Sequence, residues 1–187
     1  MEAYFADLAA LAAGAERTIG PALRKAAALV ADAALAGRLT LVFGNGGSAT
    51  QAQHFAAELV VRFRDDRRAL PAVALAADVS VLTACANDYG YDAVFARQVE
   101  ALGRPGDVAV GLSTSGTSPN VVKALETARA KGLRTVLMTG EKGRAEASRW
   151  DVGLVVPTSE TAHVQELHLA AIHLVCRHVD EELKRRG

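Results

Sequence analysis

DVAVGLSTSGTSPNVVKAL, residues 107–125, passes from a β-branched apolar run through a turn of hydroxyls around one glycine into an amphipathic helix. The run AVGL shows no polar alternation, as expected of a strand covered on both faces in a parallel sheet. Pro119 stands at the start of the helix, where a missing N–H costs nothing. The same succession appears earlier: TLVF (40–43), the turn GNGGS (44–48), then a helix from about 47 to 62. AVAL (72–75), RTVLMT (134–139) and DVGLVVP (151–157) are further short apolar runs, separated by helical segments. Strands alternating with helices pair in parallel. The expected fold is therefore α/β, a three-layer αβα sandwich on a five-stranded parallel sheet. Right-handed crossovers bring its βα loops to the carboxyl edge, where open α/β folds bind ligands. Loops 44–48 and 113–118 stand out there.

Around this centre lie helices over 2–14 and 18–36, the first with Tyr4, Phe5, Leu8 and Leu11 at helical spacing, and a closing helix over about 160–185. The chain of 187 residues suits one domain, 1–187, with 1–36 as its N-terminal helical segment. The first and last helices are too apolar to be covered by one small sheet, so both are expected in subunit contacts.

Lys plus Arg and Asp plus Glu number 21 each, giving zero net charge. With no basic stripe interleaved with aromatics, nucleic acid is not an expected partner. No apolar run approaches membrane-spanning length, and Glu2 and Asp7 occupy the region where a secretory leader carries Lys or Arg. Cys85 and Cys176 lack metal-like spacing and read as reduced thiols. The expectation is a soluble, intracellular protein.

One Ser or Thr would satisfy a helix N-cap. Ser113, Thr114, Ser115, Thr117 and Ser118 exceed that need and suit an anion, because free N–H groups and the helix dipole favour negative charge there. GNGGS is not a Walker motif, lacking the Lys, and Ala49 occupies the third position of G-x-G-x-x-G. It reads either as a ligand cradle or as a sharp glycine turn. On the helix that follows, Gln51, His54, Glu58 and Arg62 share a face beside the core stripe Ala49, Ala52, Phe55, Ala56 and Leu59. Glu58 either converges with His54 or pairs with Arg62, each four residues away. In VQELHLAAIHLVCRHV (164–179), Gln165 and His173 lie about 80° apart around the helix, near enough to serve one site. His168 falls on the other side and reads as structural.

GNGGS with AQHFAAEL, ANDYGYDAVFARQVE (86–100), GLSTSGTSPNV (111–121) and VQELHLAAIH (164–173), in this order, resemble the phosphoheptose isomerase family of the sugar isomerase (SIS) domain superfamily. The similarity spans nearly the whole chain. It implies a cytoplasmic homotetramer that converts sedoheptulose 7-phosphate to D-glycero-D-manno-heptose 7-phosphate through an enediol, the first step of nucleotide-activated heptose biosynthesis. Carried over by position, Glu58 becomes the general base and His173 the general acid. Asn45, Gly46, Gly47, Glu58, Asn87, Asp88, Ser113, Thr114, Ser115, Ser118 and Gln165 surround the substrate, the Ser and Thr groups taking its phosphate. His54, Glu58, Gln165 and His173 become zinc ligands, one ion per subunit. The chain departs from the family pattern at Thr117 (usually Asn), at Val61 (often Gly) and at Ala49 and Thr50, which bears on sugar preference more than on the reaction. The alternatives are an isomerase of another phosphosugar, or a non-catalytic SIS regulator or scaffold resembling the DnaA initiator-associating protein. That protein lacks the acid/base pair; both of its members, Glu58 and His173, are present here.

Overall fold

The computed structural model describes residues 1–186. Five parallel strands form one sheet in the order β2-β1-β3-β4-β5: β1 Thr40–Gly44, β2 Ala72–Ala74, β3 Val108–Leu112, β4 Arg134–Gly140 and β5 Val152–Val156. Every residue of β1 and β3 is buried, as continuous apolar runs require of central strands. The edges differ. β2 has only three residues, and β5 alternates buried with half-buried positions, which limits the unpaired backbone offered to other chains.

Alternate strand residues feed two cores. Val42, Val110 and Leu112 face the side covered by α2 (Gly20–Leu35), α3 (Gly47–Val60) and α8 (Thr161–Arg186). Leu41, Phe43 and Ala109 face the other, beneath α4 (Val79–Tyr89), α5 (Ala96–Leu102), α6 (Pro119–Ala130) and the short α7 (Arg144–Ala147). This is the expected αβα sandwich. The helix α1 (Glu2–Thr18) lies outside it with no buried residue, Phe5 being 67% exposed. α8 behaves differently from the sequence reading. Its apolar circumference is largely covered by its own chain, with Leu174 its one exposed large apolar side chain. Both cysteines are buried and unpaired. Among the described residues no helix is long and apolar enough to cross a membrane.

His168 is wholly buried on the inner face of α8. Neither ring nitrogen has a hydrogen-bond partner among the described residues, and the nearby Thr139 backbone offsets only part of the burial effect. Burial lowers its pKa to about 4 from an ordinary 6.5, so the native state holds it neutral. Below pH 6.5 the unfolded chain takes up a proton that the native chain refuses. Stability is therefore undiminished by this group above pH 6.5 and falls as pH drops toward about 4. The whole window amounts to on the order of 3 kcal/mol. Urea unfolding at pH 7 and pH 4.5 should show wild type losing more stability than His168→Leu; parallel losses would exclude a buried neutral imidazole.

Candidate active site

Gly44, the last residue of β1, pairs in register with Leu112, the last of β3. The segments leaving these strands therefore start side by side, yet α3 packs on one face of the sheet and α6 on the other. Such a reversal opens a crevice at the carboxyl edge, the usual ligand position in this topology. A reciprocal amide pair bridges it: Asn45 Nδ2 donates to Asn120 Oδ1 at 2.9 Å, and Asn120 Nδ2 donates to Asn45 Oδ1 at 2.8 Å. Tyr91 Oη donates to the same Asn45 oxygen at 3.1 Å. Gly46 turns the chain with φ 55° and ψ −124°, a conformation that side chains rarely adopt. The side-chain amide of Gln165 then packs over Gly47.

The hydroxyl turn is organised around itself. Ser113 Oγ lies 2.9 Å from Ser118 Oγ and 3.4 Å from Ser115 Oγ, and it accepts from the Gly116 N–H at 3.1 Å. Ser115 Oγ accepts from the Thr117 N–H at 3.2 Å. Ser118 occupies the N-cap of α6 without capping it through its side chain, so simple capping does not account for the cluster. What remains is a concave set of hydroxyls at a helix N-terminus, a suitable receptor for phosphate oxygens.

A second set forms where α3 meets α8. His54 Nε2 lies 3.0 Å from His173 Nε2 and 3.4 Å from Glu58 Oε1. The i,i+4 spacing places His54 and Glu58 one turn apart, as the sequence suggests. Two facing imidazole nitrogens at this distance leave room for one proton between them, so neutral rings adopt opposite tautomers. Phe63 stacks on His173 with centroids 5.7 Å apart. Cys176 is buried behind this set. Burial, reinforced by the Glu58 and Asp180 carboxylates, pushes its thiol up to about 12, which keeps it protonated. Arg62 does not pair with Glu58. The helix stops at Val60, and Arg62 donates instead to the Arg64 carbonyl at 3.2 Å.

His54, Glu58 and His173 thus meet, and Asn45 reaches across the crevice to Asn120, just beyond the hydroxyl turn, with Gln165 beside Gly47. Gln51 Nε2 donates to the Gln165 carbonyl at 2.7 Å, tying the upper ends of α3 and α8. Asn87 and Asp88 are exposed on the last turn of α4 and bond to one another at 2.8 Å. The hydroxyl turn and the His54, Glu58, His173 group line none of five cavities found elsewhere on the described surface. The two sets stand apart along α3, His54 lying seven residues beyond Gly47, about 10 Å along the axis. Among the described residues no group of three or more His, Cys, Asp or Glu stands in metal-holding geometry. The donor chemistry nevertheless fits zinc, for which two imidazoles and a carboxylate are common ligands. Sequence reasoning passed over Asn120 and Tyr91. An Asn just inside a helix that starts at proline offers a weak signal, and an exposed Tyr offers none.

Comparison with known proteins adds to this geometry. Residues 3–140 match the family model described as SIS domain. A phosphoheptose isomerase of Geobacter sp. (strain M21) is 53% identical over 169 residues, covering 90% of this chain and 88% of that relative. The chain belongs to the phosphoheptose isomerase family. Solved phosphoheptose isomerases from Neisseria gonorrhoeae (TM-score 0.90, 42% identity) and Francisella tularensis (TM-score 0.91, 34% identity) superpose over 96% of both chains in each case. Agreement of that extent over nearly the whole chain shows that the fold described above is shared with both.

The hydroxyl turn depends on Gly116. Its φ is 74°, and an added Cβ would collide with the Gly143 backbone and come within 3.0 Å of Thr139 Oγ1. Gly116→Ala should cost about 1–2 kcal/mol from the backbone alone, with further loss from the collision. Urea unfolding and inorganic phosphate titration are expected to show a weaker fold and weaker anion binding; unchanged values in both would refute the role given to this turn.

Proposed function

We propose that Glu58 and His173 carry proton transfer in the isomerisation of sedoheptulose 7-phosphate to D-glycero-D-manno-heptose 7-phosphate. Family membership makes the chain an isomerase. The observation that supports these two residues is the approach of His54 Nε2 to both His173 Nε2 and Glu58 Oε1, which draws a carboxylate and two imidazoles together. Ketose-to-aldose conversion takes a proton from C1, passes through a 1,2-enediol and returns a proton to C2. Glu58 performs the carbon transfer: its carboxylate accepts the C1 proton and delivers it to C2. His173 protonates O2 as the enediol forms and accepts the O1 proton as the aldehyde forms. His54 lies within reach of both and holds their relative orientation.

The hydroxyl turn binds the phosphate, with Ser113, Thr114, Ser115 and Ser118 as its contacts. Asn45, Gly46, Gly47 and Gln165 take the sugar hydroxyls, with Asn87 and Asp88 at the far rim. Binding energy from the phosphate then holds the reacting carbons in place, so that the unphosphorylated heptulose should lose turnover as well as affinity. His54, Glu58 and His173, with Gln165 as a fourth donor, would hold a zinc ion, which would supply Lewis-acid polarisation of the substrate oxygens. The exposed side of α1, with Phe5, supports this helix as a subunit contact in a homotetramer, whereas α8 offers only Leu174. The reading places the enzyme in the cytoplasm.

Incubation with sedoheptulose 7-phosphate followed by NMR should reveal the aldoheptose phosphate, and Glu58→Gln and His173→Gln should each reduce kcat by at least about a thousand-fold while remaining folded. Substantial activity in either variant would overturn the assignment. Absence of product with this sugar, but turnover of another ketose phosphate, would redirect the substrate. Elemental analysis of the purified protein, before and after chelator, tests zinc independently of activity.

A further inference from the structure

Outside the site just described, the most completely bonded buried charge is Arg67. It lies with its partner Asp180 at the lower end of the α3/α8 seam, their side chains 8% and 3% exposed. Arg67 Nε donates to Asp180 Oδ1 at 2.7 Å. Its Nη2 donates to the Glu58 carbonyl at 2.8 Å, and its Nη1 to the Leu59 carbonyl at 2.9 Å. The two carbonyls belong to the last turn of α3, where helix geometry leaves them without intrahelical partners. Asp180 Oδ2 in turn accepts from the Arg64 N–H at 3.2 Å. The segment pinned in this way also carries Phe63, whose ring stacks on His173.

We propose that Arg67 is a positioning residue for the isomerisation, its guanidinium fixing the Glu58 backbone at one edge while Asp180 and the pinned 63–65 segment fix His173 at the other. The proposal rests on the proton-transfer roles of Glu58 and His173 given above. Arginine is required by the geometry. Its planar fork serves four acceptors at once, the Asp180 carboxylate and the Glu58, Leu59 and Arg68 carbonyls, whereas a lysine ammonium on a flexible stem cannot span them all. Glu58 and His173 approach only through side chains projecting from two separate helices. A clamp that joins the backbone of one helix to a side chain of the other therefore sets the distance across which protons move, and misplacement by about 1 Å can cost on the order of a hundred-fold in rate.

Stability and catalysis separate in the design of the test. Arg67→Lys keeps a positive charge beside Asp180 but releases the carbonyls. The double variant Arg67→Met with Asp180→Leu removes both charges, a replacement that often preserves stability. Val99→Ala, in the core beneath α5, serves as a control destabilised at a distance. Each is assayed with sedoheptulose 7-phosphate at a temperature where circular dichroism shows it folded. Arg67→Lys and the double variant should each lose at least ten-fold in kcat with KM within two-fold of wild type, whether or not the double variant regains thermal stability, and Val99→Ala should keep its kcat. A folded double variant with wild-type kcat overturns the proposal, even if Arg67→Lys fails to fold. An equal kcat loss in Val99→Ala overturns it as well, since general loosening would then suffice. Glu58→Gln runs in parallel: activity retained there defeats the proton-transfer roles themselves, whereas its loss beside fully active Arg67 variants defeats only the clamp.

Discussion

The crevice between β1 and β3 exists because the chain turns to opposite faces of the sheet on leaving these two strands, and the Asn45–Asn120 amide pair holds it to a fixed width. Both amides exchange donor and acceptor, so the buried Asn120 is satisfied without water, and neither loop can shift without leaving a polar group unpaired. The glycine turn and the hydroxyl turn are anchored to each other before any ligand arrives. Preorganised donors of this kind need no reordering when the substrate binds, and it is this economy that makes a loop-built anion site effective.

The sheet was highly legible in the sequence, for a physical reason. Strands covered on both faces must be apolar through their centres, as LVF, VAVGL and VLM are, with polar residues only at the ends of the runs; each of the five runs became a strand within a residue or two. Helix ends were less legible. α3 stops at Val60, which takes Arg62 off the helical face and removes the pairing with Glu58 that spacing alone allowed. α8 looked too apolar for one chain because composition does not reveal how much of α2 lies against it.

Within the site, legibility followed sequence separation. His54 and Glu58 meet because a helix brings i and i+4 together, which is a local rule. His54 and His173 are 119 positions apart, Asn45 and Asn120 are 75 apart, and no periodicity in either segment encodes those meetings. The resemblance to the isomerase family supplied what the local pattern lacked for His173, Asn45 and Gln165, since those positions fall in its quoted motifs. It supplied nothing for Arg67, which sits in the run DDRR beside an Arg68 of the same local character. Only the fold distinguishes the buried arginine from its exposed neighbour.

Among the described residues, four of the five buried side-chain polar atoms without partners lie near this same edge, Trp150 Nε1 before β5 being the exception. Gln51 Oε1 lies on the seam between α3 and α8, while Thr139 Oγ1 and both His168 nitrogens lie where β4 passes beneath the hydroxyl turn and α8. Each such atom carries a desolvation cost of about 1–3 kcal/mol that an apolar replacement would avoid. A sequence that tolerates most of these costs close to one crevice, while packing its core elsewhere mainly with apolar side chains, is constrained there by more than folding. The seam shows the form of that constraint. Gln51 and the Gln165 carbonyl close it above, Arg67 and Asp180 close it below, and His54 and His173 meet between. A slip of one helix past the other by a single turn, about 5.4 Å, would break both closures together. The register that serves the fold is therefore the same register that brings the two imidazoles into contact.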